Sequence, residues 1–332
     1  MVLLISAGFA APRGTSVREL VATVPHALAA RASDRDVTKM LHKVALTDRL
    51  DDAVVEQLET EGAGPLALDE LERLRELSQP LPIVELPALF DAPRPPSAVE
   101  ASRTIEAARQ WATRYSASLP DFICTETVAR FMDRKGTESW SRLDELSLRV
   151  SYTGKGEEYK LATINGRPTQ RPLNSLDGSI SEGEFGSALH RVFLPESEAS
   201  FQWERWTRLR GRLAHVFSYR IDRRNSRYTI EFDVRGDTVR LVAAMRGFVY
   251  VDAESRQVLR IAIEADGLPP GFPIRRSASQ IDYGSTEIGG RPYLLPRRAV
   301  NRVSLGLSQT RNVLEFRDYR KFAADVTVTY DK

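Results

Sequence analysis

The chain has 332 residues, 42% of them apolar and 28% charged, with a formal net charge of +2. That length and balance describe a globular chain of more than one domain, whose core closes without disulfides or metal. The small net charge excludes the whole-chain field of a nucleic-acid or anionic-membrane binder, and the single cysteine, Cys124, excludes an internal disulfide.

Residues 1–10, MVLLISAGFA, form an apolar run closing on small residues, with Gly8 and Ala10 at −3 and −1 of a cut before Ala11. A signal-peptide remnant is expected there, and with it a periplasmic or otherwise extracytoplasmic location. No later segment is apolar over the ~20 residues that span a bilayer, so no transmembrane segment is expected.

Residues 11–79 are expected to form a small helical domain. Val17, Leu20, Val21 and Val24 recur at helical spacing, and Pro25 is expected to interrupt or kink that helix. Ser33 or Asp34 caps the next helix, on Val37, Met40, Leu41 and Val44. Thr47 or Asp48 is expected to open a third, and Leu68, Leu71, Leu74 and Leu77 form the stripe of a fourth. EGAGPLALDELERL has the outline of a helix-hairpin-helix, but Glu59, Glu61, Asp69, Glu70 and Glu72 crowd its turn. An ordinary helical hairpin without nucleic acid is expected. Residues 80–98 are Pro-rich and read as a semi-rigid linker. Its apolar residues, Ile83, Val84, Leu86, Leu89 and Phe90, are expected to pack on a domain.

A helix is expected from Ser97 to about Ser118, with Val99, Ile105, Ala108, Trp111, Ala112 and Tyr115 on one face. After Pro120 the period changes to two. YTIEFDV places Tyr228, Ile230, Phe232 and Val234 together, HVFSYRID places Phe217, Tyr219 and Ile221, and RQVLRIAIEA places Leu259, Ile261 and Ile263. Asn165-Gly166 and Gly289-Gly290 signal hairpins, and Gly236-Asp237 and Asp252 to Ser255 further reversals. About ten strands are expected, broken by a short helix carrying Phe185, Leu189, Val192 and Phe193. A meander this long must curl. The fold class is therefore α+β: an antiparallel open β-barrel, or half-barrel, wrapped on one or two helices over residues 99–332, after a small all-α domain.

No catalytic motif stands out. Cys124 lies among Phe122, Ile123 and Val128 with no local histidine, so it reads as a buried structural thiol. His26, His42, His190 and His215 are not at metal spacing, and no nucleophile elbow or phosphate loop exists. No cofactor or metal is expected. Carboxylate pairs such as Glu157 with Glu158, or Glu182 with Glu184, are not diagnostic. FQWERWTRLRGRL is the densest aromatic and basic stretch. Nucleic-acid stacking is one use of it; its arginines alternate as a solvated face does, and its aromatics suit an apolar ligand on the concave side of a sheet.

GFVYVDAESRQVLRIAIEADGLP places a strand, a turn with Asp252 and a strand ending in Arg260 where the LolA-like, LppX-like and RseB-like periplasmic lipoprotein carriers have theirs. Residues 97–332 resemble that superfamily in pattern. LPDFICTETVARF, INGRP, GEFGSALHRVFLPES and IGGRPYLLPRRAV also resemble a group of exported soil-bacterial proteins of the same build. The resemblance implies an unclosed barrel around helices, with an apolar cavity for acyl chains.

Three functions are carried forward. The first is a non-enzymatic binding protein holding a lipid, lipoprotein acyl chain or hydrophobic peptide, with Trp203, Trp206, Phe217, Tyr219 and Tyr250 as candidate ligand-binding residues. The second is an envelope interaction module with a filled core, binding a protein partner through residues 11–79. The third is a hydrolase with a dispersed site.

Overall fold

The computed structural model describes residues 14–153, 156–176, 178–179, 183–234 and 237–322; for 233, 234, 237 and 238 only the backbone is described. The apolar segment 1–10, Glu182 and the turn at Gly236 lie outside the described residues. The chain forms two compact units. One takes in residues up to Arg94 together with Thr207–Leu213; the other takes in Pro95–Trp206 and the chain from Ala214 onward.

The first unit holds four helices. α1 (Val17–Ala29) starts at Ser16, whose hydroxyl accepts from the Glu19 N–H while the Glu19 carboxylate accepts from the Ser16 N–H. It runs through Pro25 without a break, because Val17, Leu20 and Val24 hold its buried face. α2 spans Asp34–His42 and α3 spans Asp52–Thr60. α3 starts later than the expected Thr47 or Asp48, because Asp48 accepts the Val17 N–H at 3.0 Å and caps α1 instead. At the start of α4 (Pro65–Leu77), the N–H groups of Leu66 and Ala67 donate to the two Asp34 carboxylate oxygens at 2.9 Å each. A carboxylate of the chain thus fills the position where a helix-hairpin-helix would hold phosphate.

Leu20, Val24, Leu41, Leu58 and Leu71 build this unit's core, on which Leu86 and Leu89 pack, while Ile83 and Val84 stay exposed. Leu77 is exposed, and Ala67 takes the place expected of it on the buried stripe. The arginine-rich stretch after Trp206 is not the expected solvated face. Thr207 donates to the buried Glu56 at 2.5 Å, Thr60 donates to the Arg208 carbonyl at 2.8 Å, and Arg210 pairs with Glu59 at 3.3 Å.

The second unit opens with α5 (Ala98–Ser118), capped by Ser97 and Glu100 as α1 is by Ser16 and Glu19. The strands are β1 (Phe122–Asp133), β2 (Ser141–Thr153), β3 (Gly156–Ile164), β4 (Arg167–Pro168), β5 (Ser200–Leu209), β6 (Arg212–Ile221), β7 (Tyr228–Val234), β8 (Asp237–Asp252), β9 (Val258–Asp266), β10 (Ile274–Ile288), β11 (Arg291–Leu305) and β12 (Ser308–Lys321); α6 (Ser187–Phe193) lies between β4 and β5. They form one antiparallel sheet in the order β4-β3-β2-β1-β12-β11-β10-β9-β8-β6-β5, with β7 on β8. The path ends at β4 and β5 without closing, so the architecture is an open half-barrel. Asn165-Gly166 and Gly289-Gly290 have positive φ at both residues, as primed hairpin turns need.

Register explains the alternation. One row across the sheet reads Phe217, Val249, Ile261, Ile281, Ala299, Leu314, Val128, Leu146 and Ile164. The next row, on the opposite face, reads Tyr250, Arg260, Asp282, Arg298, Glu315, Thr127, Ser147 and Thr163. The apolar face packs against Ala108, Ala112 and Tyr115 of α5 and Ala188, Leu189, Val192 and Phe193 of α6. Gly247 keeps this face flat at one point. A Cβ there would lie 1.9 Å from the Ala262 carbonyl oxygen and 3.0 Å from the Tyr219 ring, which crosses the backbone and donates its hydroxyl to that oxygen at 3.0 Å.

Candidate functional site

The five candidate aromatics separate into three groups. Phe217 and Tyr219 are 1% and 2% exposed and belong to the core under α5 and α6. Tyr250 is not with them. It pairs opposite Val216 while Phe217 pairs opposite Val249, so it faces the other side of the sheet, under the Arg260 guanidinium at 5.6 Å. Val249, Tyr250 and Val251 are apolar at both parities, so alternation did not show which of them faces in. Trp203 and Trp206 form the third group, on the last strand of the sheet, and both are half-buried.

Trp203 and Trp206 are three residues apart, a spacing that puts side chains on opposite faces of a regular strand. Their rings instead meet edge to face at 6.1 Å, and Trp206 lies 4.0 Å from His215, which lies 5.9 Å from Phe217. A second chain of rings runs Phe193 to Phe201 at 5.5 Å and Phe201 to Tyr219 at 6.1 Å. Phe201, like Trp203, is half-buried against the core. The Arg109 guanidinium of α5 stands 5.8 Å from the Phe201 ring. The result is an aromatic row on the terminal strand, continuous with the core on one side and open on the other.

His215 belongs to this row. Burial, then the nearby Arg256 charge, push its imidazole down to about 4, so it is neutral at physiological pH. Trp203 Nε1 lies 3.2 Å from its Nδ1, and Arg256 Nη1 lies 3.2 Å from its Nε2. Both neighbours only donate, and a neutral imidazole has one accepting nitrogen, so one of these contacts is not a hydrogen bond. The ring is a flat, uncharged surface within this row.

A second cluster joins residues that sequence spacing kept apart. The Tyr159 hydroxyl lies 2.5 Å from Glu157 Oε2 and 3.1 Å from Glu184 Oε2, and accepts the Gly183 N–H at 3.2 Å. A phenol has one proton, so the two carboxylates cannot both be served by it while ionised. Burial holds the Glu157 carboxyl up at about 7, with the Tyr159 hydrogen bond opposing and the Glu184 charge adding. Burial, then Glu184, raise the Tyr159 phenol well above its usual range. The converging carboxylates expected of a hydrolase are thus bridged by a tyrosine side chain, and Glu184 is buried. The partnership is neither Glu157 with Glu158 nor Glu182 with Glu184; it crosses from β3 to the loop before α6.

Cys124 sits at 3% exposure in the core, its thiol pushed far above its usual range by burial and then by Glu126. Among the described residues no helix is long and apolar enough to cross a membrane, and no three His, Cys, Asp or Glu side chains converge as metal ligands.

No protein-family model matches the chain, and no curated protein matches it. Among solved structures it is similar to a DUF1329 family protein from Desulfovibrio piger, at 13% identity and a TM-score of 0.36, over 68% of this chain and 95% of that one. It is also similar to a domain assigned to outer membrane lipoprotein sorting from Vibrio parahaemolyticus, at 13% identity and a TM-score of 0.37, over 69% and 95%. A third is a LolA superfamily protein from Nitrosomonas europaea, at 11% identity and a TM-score of 0.29, over 67% and 94%. At these scores no ligand, partner or activity passes from those proteins to this chain.

Proposed function

We propose that the chain is a non-enzymatic, extracytoplasmic binding protein that holds an acyl chain on the aromatic row of its half-barrel. The observation that carries this reading is the row itself. Phe201, Trp203 and Trp206 are half-buried on the terminal strand, seated on the buried Phe193, Phe217 and Tyr219, with neutral His215 between. An acyl chain laid there removes apolar surface from water on both partners, at about 0.8 kcal/mol per buried methylene. The ligand lies on the row, because Phe217 and Tyr219 beneath it are packed by the chain's own side chains. The apolar segment 1–10 goes with an extracytoplasmic location.

Quenching by a lysophospholipid with a brominated acyl chain tests this. Tryptophan emission should fall on titration, and Trp203→Ala/Trp206→Ala should bind about tenfold or more weakly. Equal affinity in the double variant refutes the site.

A second reading is favoured by the same burial of Phe217 and Tyr219. The half-barrel is then a packed scaffold, and the helical unit carries a protein partner. Retention of an envelope protein by residues 11–79, with no lipid bound to the whole chain, supports it over the first.

A further inference from the structure

One end of the sheet carries apolar side chains at the tip of a hairpin. Leu305 and Leu307 are 49% and 81% exposed, on either side of Gly306, whose φ of 60° makes the reversal between β11 and β12. Two loops lie against this tip. A Cβ on Gly136, in the β1–β2 loop, would stand 2.9 Å from the Leu307 carbonyl oxygen, and the Gly306 N–H donates to the Pro273 carbonyl at 3.2 Å. The β1–β2 loop brings up Arg134 and Lys135, and the start of β10 after Pro273 brings up Arg275, all exposed. None of the three pairs with a carboxylate among the described residues.

The acids of the same region turn inward. Asp133 is buried and accepts the Lys135 N–H at 3.0 Å, while buried Glu138 accepts from Trp140 Nε1 and Arg302 at 3.0 Å each. The end of the sheet therefore presents leucines in the middle and cations at the flanks, with its carboxylates already engaged. The chain as a whole is close to neutral, so this local sorting of charge carries the argument. A leucine exposed at a projecting turn has no groove of its own to fill. The arrangement matches a lipid interface, where apolar side chains enter the acyl boundary and Lys and Arg stay with the phosphates.

We infer that the β11–β12 tip is a membrane-docking point, seating Leu305 and Leu307 in an anionic lipid interface with Arg134, Lys135 and Arg275 on the headgroup phosphates. It uses no residue of the aromatic row and stands independently of it.

Flotation of the full chain with vesicles of phosphatidylglycerol and phosphatidylcholine, against phosphatidylcholine alone, tests it. The chain should float with the anionic vesicles and be released by salt. Leu305→Ser/Leu307→Ser should weaken binding about tenfold or more. Lys135→Gln and Arg275→Gln should each weaken it about fivefold, on anionic vesicles only. Leu307→Cys, labelled with an environment-sensitive dye while buried Cys124 stays unlabelled, should shift to the blue on vesicles. No flotation, wild-type flotation of the leucine double variant with unchanged circular dichroism, or a dye that stays in water overturns the proposal.

Discussion

Glu157 gives the sheet unit a pH-dependent stability that one substitution should remove. Its carboxyl is held at about 7 in the folded chain against an ordinary 4.5. At 1.36 kcal/mol for each tenfold change, that difference corresponds to about 3 kcal/mol. The sign follows from the direction. A raised folded pKa means that the folded state binds the proton more tightly than the unfolded chain. The stabilisation is fully present below about pH 4.5 and is lost as pH rises through 7. The groups facing Glu157 include Tyr159 on its own strand, Glu184 and Arg191 from the loop and helix after it, Tyr115 of α5, Cys124 of β1, Tyr152 of β2 and Tyr283 of β10. Glu157→Gln keeps the shape and removes the titration. Urea unfolding followed by tryptophan emission is the assay, since Trp111, Trp140, Trp203 and Trp206 all lie in the sheet unit. The wild type should lose about 3 kcal/mol more than the variant between pH 4.5 and pH 8. Parallel pH profiles for the two proteins would refute the reasoning, and with it the placement of Glu157 beside Glu184.

Three further outcomes follow from packing and charge. Gly247→Ala puts a methyl into the Ala262 carbonyl oxygen, and should cost about 3 kcal/mol or more in the same urea assay. Asp282→Asn leaves Arg260 buried without its 2.6 Å carboxylate partner and should cost about 3–5 kcal/mol, whereas Arg260→Met/Asp282→Leu should recover most of that loss. Cys124 should be inert to Ellman's reagent in the native chain and react on unfolding, and Cys124→Ala should cost about 1–2 kcal/mol without changing ligand binding.

The half-barrel was legible because its strands are apolar on one face and largely polar on the other. Phe217 with Tyr219, and Ile261 with Ile263, declared their side by alternation, and register then carried that side across the sheet. Helix caps were legible where the capping group is local, as at Ser33, and illegible where it comes from afar. Asp48 was read as the start of α3 because nothing in its neighbourhood shows that it caps α1. The same limit applies to the site. Tyr250 lies between two valines, so period two did not show its face. Trp203 and Trp206 are three residues apart, which strict alternation assigns to opposite faces, yet their rings meet. His215 had one usable signal, its parity with Phe217. Glu157 and Glu184 had none, since only the path from β3 to the loop before α6 brings them to one tyrosine.

The central claim is that the aromatic row holds an acyl chain. Native mass spectrometry with lipid extraction, on the chain purified from a bacterial envelope fraction, tests it most directly. The account predicts an acyl-bearing species at fixed stoichiometry, lost from Trp203→Ala/Trp206→Ala. A clean apo mass for the wild type would contradict it and favour the packed scaffold with a protein partner.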